Sequence, residues 1–92
     1  MTIEELYQII IDRKKRLPKD SYVASLFNEG SDRIIQKVGE EATEVVIAAK
    51  NGEKKRIIAE TADLQFHIFV LLANFNIAYD EILEELDKRN KK

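Results

Sequence analysis

The 92-residue chain has no cysteine and no tryptophan. Without a thiol it can build no disulfide scaffold, no thiolate nucleophile and no sulfur-ligated zinc or iron–sulfur centre. Proline occurs once, at Pro18, and glycine three times, at Gly30, Gly39 and Gly52, so little interrupts a helix. No stretch sustains the two-residue alternation of a strand. The longest apolar run, Ile68 to Ala73, is six residues, far from the ~20 that a membrane helix needs, and no apolar segment follows positive charge at the N-terminus. An excess of one charge is also missing: 15 basic residues face 17 acidic ones, a net charge of −2, so no global basic field draws the chain to nucleic acid. The expectation is a cytoplasmic, single-domain, all-α protein over residues 1–92, with neither a nucleic-acid nor a membrane partner. A chain this short buries only about 60–65 % of its unfolded surface, which makes a second copy of the chain an expected partner.

What is present is helical periodicity. Thr2, Ile3, Glu4 and Glu5 open a capping-box pattern, and Ile3, Leu6, Tyr7, Ile10 and Leu17 follow at helical steps until Pro18. Residues 21–27 read as a loop with some helix, closed by Asn28, Glu29 and Gly30. With Ser31 as N-cap, a second helix carries Ile34, Ile35, Val38, Ala42, Val45, Val46 and Ala49 to a left-handed stop at Asn51 and Gly52. A third helix begins around Glu53 and runs past Leu72, apolar on nearly every side in its second half, so it should be the most buried. After a break at Asn74, Phe75 and Asn76, the residues Tyr79, Ile82, Leu83 and Leu86 mark a last helix with a solvated tail over 88–92. The expected architecture is a compact four-helix bundle, with Tyr22, Phe27, Phe66, Phe69 and Phe75 as core aromatics.

The carboxylates carry the chemistry. On a wheel of about 100° per residue with Val38 at 0°, Ala42, Val45 and Ala49 fall within about 40° and define the expected core sector. Glu41 lies at about −60°, Lys37 at about −100° and Glu44 at about −120° on that wheel, while Glu40 turns to solvent at about −160°. Glu60, Asp63 and His67 share a face of the next helix. The turn at Asn51 and Gly52 makes the two helices antiparallel neighbours, so Glu41, Glu44, Glu60 and Asp63 converge. Like charges about 4 Å apart repel by about 4 kcal/mol at an effective dielectric near 20, and a hard divalent cation such as Mg²⁺ relieves this with oxygen ligands, waters and substrate phosphates. One acidic pair on a helix is ordinary surface; two, each bordering an apolar stripe, are not. A di-iron site needs a Glu-x-x-His step on two helices, and His67 follows Asp63 by four residues. His67 therefore reads as a hydrogen-bonded core or supporting residue, and Arg33 and Lys37 as cations that are either solvated or meet an anion across the metal.

Three words of the sequence resemble a known family: residues 21–27 (Ser-Tyr-Val-Ala-Ser-Leu-Phe), residues 37–44 (Lys-Val-Gly-Glu-Glu-Ala-Thr-Glu) and residues 60–67 (Glu-Thr-Ala-Asp-Leu-Gln-Phe-His). The chain resembles the phosphoribosyl-ATP pyrophosphohydrolases of histidine biosynthesis, within the all-α, MazG-like nucleoside triphosphate pyrophosphohydrolases. The resemblance implies hydrolysis of phosphoribosyl-ATP to phosphoribosyl-AMP and pyrophosphate, with Mg²⁺, or Mn²⁺ in its place, on Glu41, Glu44, Glu60 and Asp63. It further implies Glu40 or Glu44 as the base for the water, Lys19, Arg33 and Lys37 against phosphates, Tyr22 and Ser25 lining the pocket, and an obligate homodimer. The alternatives are a house-cleaning pyrophosphatase for ordinary or damaged nucleoside triphosphates, and a helical dimerisation module without activity.

Overall fold

A computed structural model describes residues 1–90. The chain forms α1 (Ile3–Arg16), α2 (Tyr22–Glu29), α3 (Ser31–Asn51), α4 (Lys54–Asn74) and α5 (Tyr79–Asn90), with no strand among the described residues. The all-α expectation holds, with five helices in place of four. Of the expected tail, residues 88–90 continue α5, and residues 91 and 92 lie outside the described part.

Each helix starts and stops for local reasons. The Thr2 hydroxyl accepts the Glu5 N–H at 3.0 Å, and Glu4 and Glu5 place negative charge at the positive end of the α1 dipole. Leu17, at φ 47°, turns the chain out of α1 just before Pro18. Residues 22–29 are helical, where a loop with some helix is expected over 21–27, because Ser21 caps them, its hydroxyl accepting the Ala24 N–H at 3.1 Å, and because Val23, Ala24 and Leu26 are all buried there. Gly30, at φ 100°, closes α2 and serves as the N-cap of α3. Ser31 is therefore the first residue of α3 and not its cap; its hydroxyl accepts the Asn74 side-chain N–H at 2.9 Å. Gly52, at φ 71°, ends α3 in the left-handed conformation read from the sequence.

Ile10, Val23, Leu26, Ile34, Phe69, Val70, Leu72 and Ala73 form the core. The second half of α4 is its centre, as expected. By length and composition alone α4 is also apolar enough to cross a membrane, but in this fold α1 and α3 pack against it, and α2 reaches it through the Tyr22–His67 bond. From α1, the Lys14 ammonium donates to the Ala73 carbonyl at 2.7 Å and to Asn76 Oδ1 at 3.1 Å, which stops α4 with a cation at its negative end.

The core sector of α3 is rotated from the expected one. Ile34 and Ala48 are buried, Glu41 sits midway between them in sequence, and Ala49 is exposed while Val38, Ala42 and Val45 are half-buried. The apolar arc of α3 is wider than one neighbour can cover, and α4 docks on its acidic edge. Ile35, Val46 and Ile58 are left about half exposed, α5 buries none of its residues, and Tyr22 and Phe75, expected in the core, are 51 % and 52 % exposed.

Because Leu26 is almost fully buried on α2, Leu26→Ala should lower unfolding free energy by about 2–5 kcal/mol. Urea denaturation followed by circular dichroism measures this; a loss below about 1 kcal/mol would mean that α2 is not part of the core.

Candidate active site

The short turn at Gly52 folds α4 back along α3, making this the most extensive helix pairing of the chain. Glu41 comes from α3; Glu60 and Asp63, one helical turn apart, come from α4. One carboxylate oxygen from each lies within 4.8 Å of the other two. The Glu41 side chain is 14 % exposed and that of Glu60 20 %, whereas Asp63 is exposed, so the cluster is walled by the helix seam and open on the Asp63 side. At ~5 Å and an effective dielectric near 20, each pair of carboxylates repels by about 3 kcal/mol.

Two cations partly offset that repulsion. Lys37 Nζ stands 3.3 Å from Glu41 Oε1, and Arg56 reaches within 3.9 Å of Glu60 Oε1. Each precedes its acid by one helical turn. Burial disfavours the Lys37 charge, but hydrogen bonding to Glu41, together with the fields of Tyr22, Glu41 and Glu40, outweighs it and lifts the ammonium above the usual lysine range. Three carboxylates against two cations still leave one negative charge in excess. A donor set made only of oxygen, open on one side and short of positive charge, suits a hard divalent cation, and Glu41, Glu60 and Asp63 are the residues that can hold one.

The other expected site residues are placed less closely. Glu44 is half-buried on the same helix, outside the three-carboxylate group. Glu40 is exposed and pairs with Arg33 at 3.7 Å. Lys19 is exposed and shares a shallow basic depression with Arg13 and Arg16 next to the start of α2. The Ser25 hydroxyl donates back to the Tyr22 carbonyl at 2.6 Å.

His67, 5 % exposed, is tied at both nitrogens: Nδ1 is 2.7 Å from the Asp63 carbonyl and Nε2 3.0 Å from the Tyr22 hydroxyl. A carbonyl oxygen can only accept, so Nδ1 carries the proton, and in the neutral ring Nε2 accepts from Tyr22. His67 thus links α2 to the turn of α4 that holds Asp63. Arg56 was missed in the sequence reading. Its signal was available, since it precedes Glu60 by the same four residues that separate Lys37 from Glu41.

Carboxylates grouped across a helical hairpin, with cations at their flanks, define an all-α protein built around an acidic centre. The chain belongs to the phosphoribosyl-ATP pyrophosphohydrolase family, whose sequence profile matches residues 3–90. A Geobacter sulfurreducens protein named phosphoribosyl-ATP pyrophosphatase is 52 % identical over 87 residues, covering 95 % of this chain and 81 % of the relative. A Pelotomaculum thermopropionicum protein of the same name is 48 % identical over 90 residues (98 % and 92 %), and one from Methanocella arvoryzae 47 % over 91 residues (97 % and 96 %).

The raised ammonium gives a test of the Lys37–Glu41 pair. A folded-state pKa above the unfolded value of about 10.4 means that the pair stabilises the fold fully below that pH and loses its contribution as pH rises through the folded value. In a ¹³C-lysine NMR titration Lys37 should titrate above the ordinary lysine value, and Glu41→Gln should bring it back down. An unchanged midpoint in the variant would separate Lys37 from Glu41.

Proposed function

We propose that the protein hydrolyses phosphoribosyl-ATP to phosphoribosyl-AMP and pyrophosphate, the second step of histidine biosynthesis, in the cytoplasm and with carboxylate-bound Mg²⁺ or Mn²⁺. The observation that carries this reading is the convergence of Glu41, Glu60 and Asp63 on one point in a chain of this family. These three hold the ion, with Glu44 as a fourth ligand from the same face of α3. When bound, the metal withdraws charge from the phosphoanhydride.

The chain's own residues do the rest. A carboxylate, Glu40 or Glu44, takes a proton from the attacking water as its oxygen bonds to phosphorus. The anhydride bond breaks, and pyrophosphate leaves with the bonding electron pair. Lys37 and Arg33, released from their pairs with Glu41 and Glu40, neutralise phosphate oxygens, while Lys19, Tyr22 and Ser25 line the approach along α2. Excess metal should raise the melting temperature of the protein, because a ligand held only by the folded state stabilises it in proportion to ln(1 + [L]/Kd).

Glu41→Gln and Asp63→Asn keep the shape of a ligand and remove its charge. Each should lower turnover of phosphoribosyl-ATP by a factor of about 100 or more, since metal chemistry supplies several kcal/mol of the barrier reduction, and should abolish the Mg²⁺-induced thermal shift while the helical circular dichroism signal is kept. Near-normal turnover in either variant would refute the assignment. Equal wild-type turnover of ATP, deoxynucleoside triphosphates and phosphoribosyl-ATP would favour a house-cleaning pyrophosphatase instead.

The same reading includes a homodimer. The exposed apolar residues Ile35, Val46 and Ile58 on the α3–α4 hairpin and Ile82, Leu83 and Leu86 on α5 are surface that a second copy would cover. Light scattering at micromolar concentration should give twice the 10.7 kDa chain mass. A 10.7 kDa particle would contradict the dimer.

A further inference from the structure

We propose that the Tyr22 ring is the surface on which the purine of the substrate stacks, and that His67 is the positioning residue that holds the ring for it; the proposal rests on the nucleotide-hydrolase reading above and deepens it. Tyr22 opens α2 directly after the Ser21 cap. Its ring lies nearly parallel to that of Phe66, with centroids 6.1 Å apart and 25° between planes, so one face is backed. His67 meets it edge-on, at 5.8 Å and 80°, and fixes its hydroxyl at 3.0 Å. The residue nevertheless keeps 51 % of its surface exposed.

An aromatic side chain that is tied at its hydroxyl, backed on one face and open to solvent has little conformational freedom left to lose when a planar ring covers it. Its position suits a base more than any other part of a nucleotide. His67 also bonds to the carbonyl of Asp63, one turn or about 6 Å along α4 from the carboxylate cluster where phosphates would be gripped. Stacking accepts any purine face, whereas the phosphates need charge, and charge lies with Lys37, Arg56 and the metal ligands. The other half-exposed aromatic near α4, Phe75, follows its far end, twelve residues or about 18 Å from Asp63. Tyr7 and Tyr79 are both half-buried, and Tyr7 spends its hydroxyl on the Ile77 carbonyl. Phe27 and Phe66 are half-buried, and among the described residues Tyr22 is the aromatic that combines exposure, rigidity and proximity.

His67 acts through Tyr22 and not on the substrate. Of its two conservative replacements, glutamine carries its amide to the position of Nε2 and can still accept from the Tyr22 hydroxyl. Asparagine is too short and reaches only the position of Nδ1.

The test compares a nucleotide with an anion that lacks a base. Tyr22→Leu should raise KM for phosphoribosyl-ATP about ten- to a hundredfold, as base stacking on an aromatic side chain is worth about 1–3 kcal/mol, while the inhibition constant of inorganic pyrophosphate stays within about twofold. Tyr22→Phe, which keeps the ring and loses the bond to His67, should raise KM less than Tyr22→Leu does. His67→Gln should keep KM near the wild-type value, whereas His67→Asn should raise it, and Tyr22→Phe combined with His67→Asn should be no worse than the more impaired single variant. An unchanged KM in Tyr22→Leu, or an equal loss of pyrophosphate inhibition, would overturn the stacking role. Equal effects of His67→Gln and His67→Asn would overturn the positioning role. Should the wild type not turn over phosphoribosyl-ATP, the functional reading fails, and the stacking claim is still decided by fluorescence. The chain has no tryptophan, so Tyr22→Trp is a lone reporter whose emission ATP should quench and pyrophosphate should not; quenching by neither, or by both alike, rejects the stack.

Discussion

The buried row of α3 runs Ile34, Glu41, Ala48, and its middle member is a carboxylate. A charge drawn into a helix seam costs several kcal/mol unless it is compensated, and most of the arrangement around it follows from that requirement. Lys37 stands over Glu41 from the preceding turn, Arg56 does the same for Glu60, and Gly52 closes the hairpin tightly enough to bring the two acidic rows level. The remaining repulsion among Glu41, Glu60 and Asp63 is what a divalent cation would remove. Stability of the hairpin and affinity for the ion are therefore opposed aspects of one electrostatic balance: the more negative the cluster, the tighter the ion and the weaker the bare fold.

That balance explains why the helical wheel brought Glu41, Glu60 and Asp63 to one side of the hairpin but misplaced the core. Centred on Val38, it put Ala42, Val45 and Ala49 inside and Glu41 on the border. In the structure the seam is shifted toward Glu41, and Ala49 is exposed. A periodicity argument finds the middle of an apolar arc; it has no means of knowing that the arc has two tenants, α4 on its acidic side and, in the dimer we propose, another copy on the rest. The same blindness placed Tyr22 and Phe75 in the core, because aromatic character reports a preference for burial and not which partner supplies it.

Local chemistry was more legible. The Thr2 cap, the left-handed stop at Gly52 and the break around Asn76 depend on nearest neighbours, and each appears where the residues indicated. The helix over Tyr22–Glu29 was less so: eight residues are too few for a periodic signal, and it forms because Val23, Ala24 and Leu26 are buried by packing against other helices. Among the candidate ligands, the three that come together were readable from spacing plus the antiparallel hairpin. Glu44, about 60° around the helix from Glu41, stands outside the group that the three side chains form without an ion.

The central claim is that this cluster, and no other acidic surface, is where a divalent cation sits. Mn²⁺ added in small increments to ¹⁵N-labelled protein tests it most directly, because the ion broadens only the amides near it. The account predicts early loss of signal from residues 38–45 and 58–67, reversed by excess Mg²⁺ and absent in Asp63→Asn. Broadening that begins at the acidic first turns of α1 and α5, around Glu4, Glu5, Asp80 and Glu81, would contradict it.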